Sequence, residues 1–270
     1  MKFTAPLHAF TYWEKSTPDQ LMFHQPFAQG SVKTTYREAD IEIRKIAQAL
    51  IAMDYAPKSK IALLSKNCSH WIMADLAIQM AGHISVPIYP TINANSSAEI
   101  MSHSESKAVI VGKLDNYEAQ KSGLEGFTKI GIKAYQVEEK LNWEDMIAQN
   151  EALEEVPEQN AEDLLTIMYT SGTTGSPKGV MHRVGSFNAV TNTAVSAIAI
   201  NASKPRFFSY LPLTHIAERI GIEMFGLYQG GSFNFPLSIE TFADNLAATQ
   251  PDLFFAVPRI WTKFQDNILN

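Results

Sequence analysis

Between Tyr169 and Val180 the chain reads Tyr-Thr-Ser-Gly-Thr-Thr-Gly-Ser-Pro-Lys-Gly-Val, a spacing of glycine, hydroxyl and lysine suited to holding phosphate. Gly172, Gly175 and Gly179 let the backbone approach a ligand closely, so that successive N–H groups can form an anion-binding nest. The hydroxyls of Thr170, Ser171, Thr173 and Thr174 add donors to phosphate oxygens, and Lys178 adds a full positive charge. The apolar run Leu164 to Tyr169 reads as a buried strand that feeds the loop and leaves a ligand at its carboxyl end. A Walker loop requires G-x-x-x-x-G-K-[ST], but here Lys178 follows Pro177 and precedes Gly179, so that template fails. No G-x-G-x-x-G is present either. Thr170, Ser171, Gly172, Thr173, Thr174, Gly175 and Lys178 are the candidate nucleotide-binding residues.

Two further segments carry chemistry-bearing residues in order: Ser209-Tyr-Leu-Pro-Leu-Thr-His-Ile-Ala-Glu-Arg-Ile220 and Phe255-Ala-Val-Pro-Arg-Ile-Trp-Thr-Lys-Phe264. The first motif resembles [YF]-T-[ST]-G-[ST]-T-G-x-P-K-G-V of the adenylate-forming, or AMP-binding, enzymes. The second and third resemble S-Y-L-P-L-x-H-x-x-E-R and V-P-R-[IVL]-x-x-[KR] of long-chain fatty acyl-CoA synthetases. The likeness runs from about Tyr36 to the end of the chain.

That resemblance implies a ligase with two steps. A carboxylate attacks the α-phosphorus of Mg-ATP to give an acyl adenylate and pyrophosphate, and coenzyme A then takes the acyl group. It implies that Ser171 to Gly175 hold the β- and γ-phosphates, that Thr173 ligates Mg2+, and that Lys178 and His215 are catalytic. Lys178 would stabilise pyrophosphate, and His215 would lie beside the carboxylate and the α-phosphate. Glu218 and Arg219 match the long-chain pattern, although charges on an amphipathic helix normally form its solvated face. Phe207, Phe208, Tyr210, Phe225, Phe233, Phe235 and Trp261 are candidates to line an acyl slot, and equally candidates for ordinary core. Two other readings stand beside the fatty-acid-CoA ligase: an enzyme that passes the acyl group to a carrier protein or other acceptor, and a non-catalytic nucleotide-binding module.

Composition narrows the partners. The net charge is −6, from 22 basic and 28 acidic residues, and no basic cluster with interleaved aromatics appears, which argues against nucleic acid. The seven histidines include no H-E-x-x-H and no Cys-His grouping. The single Cys68 excludes an internal disulfide framework and suits a reducing cytoplasm. No signal-peptide core and no run of about 18 apolar residues is visible, so a soluble cytoplasmic protein is expected, with peripheral membrane association and oligomeric state left open. Asn67-Cys-Ser69, Asn95-Ser-Ser97 and Asn201-Ala-Ser203 match sequons but lack a secretory context.

The surrounding elements must position these groups. Thr35-Tyr-Arg-Glu38 is a capping box ahead of an amphipathic helix over 36–53. The pattern then predicts strand 60–64, helix 71–81, strand 84–89, a short helix opened by a second capping box at Ser96 to Glu99, and strand 108–111. Residues 113–162 are polar and read as a surface helix-and-loop excursion. After the loop come a helix from Ser186 to about Ile200, strand 207–211, a helix from Thr214 to Tyr228 capped by Thr214, strand 232–235, helix 239–249, strand 253–257 and a helical run from Pro258. The expected fold is layered α/β, with mostly parallel sheets covered by helices. Units of roughly 58–185 and 186–270, the latter joined by 30–57, would flank the loop. The family's later motifs (Y-G-x-T-E, T-G-D and a late lysine) do not occur, so the chain is expected to be the N-terminal portion of an adenylation domain, without its C-terminal domain and inactive alone.

Overall fold

The computed structural model describes residues 2–170 and 177–269, except the side chains of residues 263, 264 and 267–269. Helix α1 (Pro6–Ser16) starts with proline in its first turn, where the missing N–H costs nothing, and buries Leu7, Ala9 and Phe10. Strands β1 (Leu21–Pro26) and β2 (Ser31–Thr35) follow as an antiparallel pair. Helix α2 (Tyr36–Ile51) is entered through the expected capping box. The Glu38 N–H donates to the Thr35 hydroxyl at 3.2 Å, and the Thr35 N–H donates to the Glu38 carboxylate at 2.7 Å.

The βαβ alternation is as expected: β3 (Lys60–Leu64), α3 (Ser69–Met80), β4 (Ile84–Ile88), α4 (Ala94–Ser104) and β5 (Ala108–Val111). The cap of α4 differs from the second capping box. Asn93 occupies that place and its side chain accepts from the Ser96 N–H at 2.9 Å, which puts Ser96 inside the helix. The polar excursion also differs from expectation. Beside α5 (Glu118–Lys121) and α6 (Trp143–Gln149) it holds β6 (Thr128–Gly131) and β7 (Leu141–Asn142), which extend the first sheet.

Next come β8 (Leu164–Thr170), β9 (Lys178–Arg183), α7 (Val184–Ala197) and β10 (Arg206–Phe208). The helical stretch that follows is α8 (Ile216–Glu218), a π-helical turn (Arg219–Met224) and α9 (Phe225–Gln229). It ends at Gly230 with φ +63°, where any Cβ would run into the Trp13 ring. The last elements are β11 (Ser232–Asn234), α10 (Phe242–Thr249) and α11 (Pro258–Leu269). The strand expected over 253–257 is reduced to a single bridge between Leu253 and Phe207.

The first sheet has the order β7-β6-β5-β3-β4-β8-β9 and is parallel except for β9. Successive β3 side chains face opposite layers. Ile61 and Leu63 join the core shared with α2, α3 and α6, whereas Ala62 and Leu64 join a second core with Ile100 and Met101 of α4. The other sheet has the order β10-β11-β1-β2, with β10, β11 and β1 parallel. In the parallel sheet the carboxyl ends of β3, β4, β5 and β8 lie on one edge, the edge where ligands of open α/β sheets bind.

Candidate active site

At that edge β8 delivers the phosphate-loop motif. Thr170 and Lys178 are partners across the β8–β9 ladder, so the two strands hold both ends of the loop, and both residues are exposed. The candidate residues Ser171, Gly172, Thr173, Thr174 and Gly175, Thr173 with its assigned metal role among them, lie outside the described residues. Tyr169 is buried and its hydroxyl lies 2.7 Å from His103 Nδ1 on α4. Gly179 packs directly over this anchor. A Cβ there would stand 2.9 Å from Ile167 Cγ2 and 3.2 Å from Tyr169 Cζ.

The second motif leaves β10 at Ser209 and turns toward His215. The sequence placed the cap of the next helix at Thr214, but His215 holds that position. Its Nδ1 accepts from the Ala217 N–H at 3.2 Å. An accepting Nδ1 fixes the neutral ring as the Nε2–H tautomer, so exposed His215 presents a donor at its free end. Buried Asn67, which follows β3, bonds to this segment three times. Its Nδ2 donates to Ser209 Oγ at 2.8 Å and to the Leu211 carbonyl at 2.6 Å, and its Oδ1 accepts from the Leu213 N–H at 3.0 Å. In the sequence, Asn67 stands out only as part of a sequon. Its place immediately after a strand of the parallel sheet was the available signal.

Glu218 and Arg219 are not a solvated face; both are fully buried. Oε1 of Glu218 accepts from Ser209 Oγ at 2.9 Å and from the Tyr210 N–H at 3.0 Å. Burial pushes this carboxyl up to about 8, against the opposing effect of those two hydrogen bonds. Arg219 donates to Asp75 Oδ2 at 2.7 Å and stacks over Trp71, 5.0 Å from its ring centre. Glu223 Oε2 stands 3.0 Å from Arg219 Nε but off the N–H axis, a charge contact without hydrogen-bond alignment. The network continues through Gln79, which donates to Asp75 at 2.6 Å, and Gln159, which donates to Gln79 at 3.0 Å, to the Leu7 N–H, which donates to Gln159 at 3.1 Å.

Among the proposed slot aromatics, Phe207, Phe208, Phe225, Phe233 and Phe235 are buried, and Phe207 packs on both Phe225 and Phe233. They are core. Tyr210 stacks on Phe254 at 5.6 Å, and half-exposed Trp261 meets Phe254 edge-on. A cavity of about 410 Å³ lies between Thr4 to Thr11 and Val156 to Gln159, remote from the phosphate-loop edge. Among the described residues no three His, Cys, Asp or Glu side chains gather as a metal site, and no helix is long and apolar enough to cross a membrane.

The fold and this edge define an adenylate-forming architecture, and the comparisons agree. The family model described as AMP-binding enzyme matches residues 10–269, and the chain belongs to that family. Long chain acyl-CoA synthetase 5 of Arabidopsis thaliana is 32% identical over 92% of this chain and 40% of the relative's own length. Fatty acyl-CoA synthetase A of Dictyostelium discoideum is 28% identical over 87% of this chain and 37% of its own length. The chain thus spans about 40% of the length of such curated relatives. Among solved structures, O-succinylbenzoate coenzyme A synthetase of Bacillus subtilis in complex with AMP superposes with TM-score 0.78 at 17% identity, over 96% of this chain and 64% of that one. The inhibitor-bound N-terminal domain of FACL13 from Mycobacterium tuberculosis gives TM-score 0.74 at 23% identity, over 92% of this chain and 61% of that one. At these identities the likeness is one of fold.

Proposed function

We propose that the whole protein carrying this chain activates a medium- or long-chain fatty acid with Mg-ATP and passes the acyl group to coenzyme A. The supporting observation is that the phosphate-loop ends, Thr170 and Lys178, leave the same sheet edge at which Asn67 grips the segment bearing His215. Adenylation brings a carboxylate against an anionic phosphorus, so charge neutralisation is where catalysis must act. In this reading Thr170 and Ser171 to Gly175 cradle the β- and γ-phosphates, and Thr173 contributes to the magnesium that accompanies ATP. Lys178 neutralises departing pyrophosphate as the carboxylate oxygen bonds to the α-phosphorus and the bridging oxygen leaves. The Nε2–H of His215 donates to an oxygen of the reacting centre. The coenzyme A thiolate then attacks the acyl carbon and AMP departs. Because the chain spans about 40% of its relatives, the 270 residues alone are not expected to complete this cycle. A cytoplasmic setting is part of the proposal and is supported by the free, buried Cys68.

The test is carboxylate-dependent exchange between ATP and pyrophosphate by the whole protein, with acids of increasing chain length. Fatty acids should lead the series. Better exchange with acetate or an aromatic acid would refute the substrate class, and no exchange with any carboxylate would refute adenylation.

A further inference from the structure

Asn67 follows a strand of one sheet and His215 follows a strand of the other, and nothing in the sequence motifs connects them. We infer that Asn67 is a positioning residue that sets His215 for adenylation, an inference that rests on the role proposed for His215. The segment from Ser209 to Thr214 belongs to no helix and no strand, and Pro212 supplies no N–H. Its own turn contributes one bond, from the His215 N–H to the Pro212 carbonyl at 2.8 Å. Asn67 adds three more by donating to Ser209 and Leu211 and accepting from Leu213, beside the bond from the Ser209 N–H to the Asn234 carbonyl at 2.9 Å. The contact is extended by relay. Ser209 Oγ accepts from Asn67 and donates to Glu218, which also holds the Tyr210 N–H. The chain is therefore gripped on both sides of His215, before it by Asn67 and one turn after it by Glu218.

The structure separates this grip from general cohesion. Lys113, which follows β5, donates independently to the carbonyls of Pro236 at 3.0 Å and Leu237 at 2.8 Å, and the buried Arg219–Asp75 pair ties the same two regions elsewhere. Loss of Asn67 leaves those ties in place but frees the Leu213 N–H and the Leu211 carbonyl. A catalytic donor displaced by about 1 Å loses up to roughly 100-fold in rate, so a loosened turn reads out in chemistry before it reads out in folding.

The experiment is a double-mutant cycle in the whole protein, measured as single-turnover acyl-adenylate formation, with Asn67→Ala, His215→Ala and the pair. Asn67→Ala is expected to slow adenylation roughly 10- to 100-fold with ATP affinity unchanged, yet less than about 3-fold in the His215→Ala background. Asn67→Asp keeps the acceptor for Leu213 and should lie between Ala and wild type. Hydrogen exchange of the 270-residue chain adds a readout without activity. Asn67→Ala should accelerate the Tyr210 to His215 amides and leave β3 and α3 unchanged. Equal losses in both backgrounds, or no loss at all, would overturn the positioning role. His215→Ala at the wild-type rate would instead refute the role of His215 itself, and with it the need for positioning. Exchange that rises throughout the chain would mark Asn67 as a residue of general stability and also overturn the inference.

Discussion

Arg219 Nη2 lies 2.7 Å from Asp75 Oδ2, and both side chains are 0% exposed. The pair joins the π-helical turn after α8 to α3, between sheets that are separate in hydrogen bonding. The Trp71 and Phe187 rings flank the guanidinium at 5.0 and 5.8 Å, a setting that a planar Arg tolerates and a Lys would not. Glu223 shares the enclosure, so one buried cation faces two carboxyl groups directly, with Glu218 one residue before it in the chain. The wider turn of the π-helix keeps Glu218, Arg219, Ile222, Glu223 and Met224 all inside, a broader stripe than a regular helix buries.

Breaking this pair should cost far more than breaking a surface one. Arg219→Ala or Asp75→Asn leaves an uncompensated buried charge or polar group, and about 3–5 kcal/mol of stability should be lost. By contrast, the exposed Arg37–Asp19 pair should contribute less than about 1 kcal/mol. Urea unfolding of the single variants and of an Arg219→Met/Asp75→Leu/Glu223→Leu triple variant checks this. The triple variant, which leaves no member of the cluster behind, should recover much of the loss.

The carboxyls of Glu218 and Glu223 give the fold a pH dependence of definite sign. Burial raises each from 4.5 to about 8, so between those values the folded state holds more protons than the unfolded chain. Their contribution is fully present below pH 4.5 and is lost as pH rises through about 8. Stability measured by urea unfolding should therefore fall across this window, and Glu223→Gln should flatten the fall. An unchanged pH profile in that variant would show that Glu223 is already ionised in the folded protein.

What the sequence made legible follows from the range of the interactions involved. The α2 capping box and β3 to β5 could be read directly, because their caps and apolar periods are local. β6 carries Thr128 and Lys129 in only four residues, so its strand character shows only when it pairs with β5. β1, which ends in a proline, owes its place to parallel pairing with β11, more than two hundred residues later. In the candidate site, the glycine-rich motif and His215 stand out by motif, whereas the burial of Arg219 depends on Asp75, 144 positions away, and the contact of Asn67 on Ser209, 142 positions away. A charged residue looks solvated until its partner is known.

Gly179 should be intolerant of even one methyl. The added Cβ of Gly179→Ala would meet Ile167 and Tyr169 inside 3.3 Å, pushing on the ring that His103 anchors and on the ladder that closes the phosphate loop. The expected cost is about 1–3 kcal/mol of stability, together with weaker pyrophosphate binding. Thermal unfolding and pyrophosphate titration of the variant test both parts. Wild-type behaviour in each would mean that the hairpin gives way freely.

His215 combines two duties that one substitution can separate. Its Nδ1 caps α8 by accepting from Ala217, while Nε2–H is the donor proposed for adenylation. Asparagine is a strong helix cap, and its Oδ1 can accept from the same region of backbone N–H groups, but it has no donor at the position of Nε2. His215→Asn should therefore keep thermal stability near wild type, whereas His215→Ala should lose about 1 kcal/mol with the cap. Both variants should slow single-turnover adenylate formation to a similar degree and leave fatty-acid affinity nearly unchanged, because a contact made mainly in the transition state lowers rate and not ground-state binding. An Asn variant that adenylates at the wild-type rate would show that His215 serves this fold only as a cap.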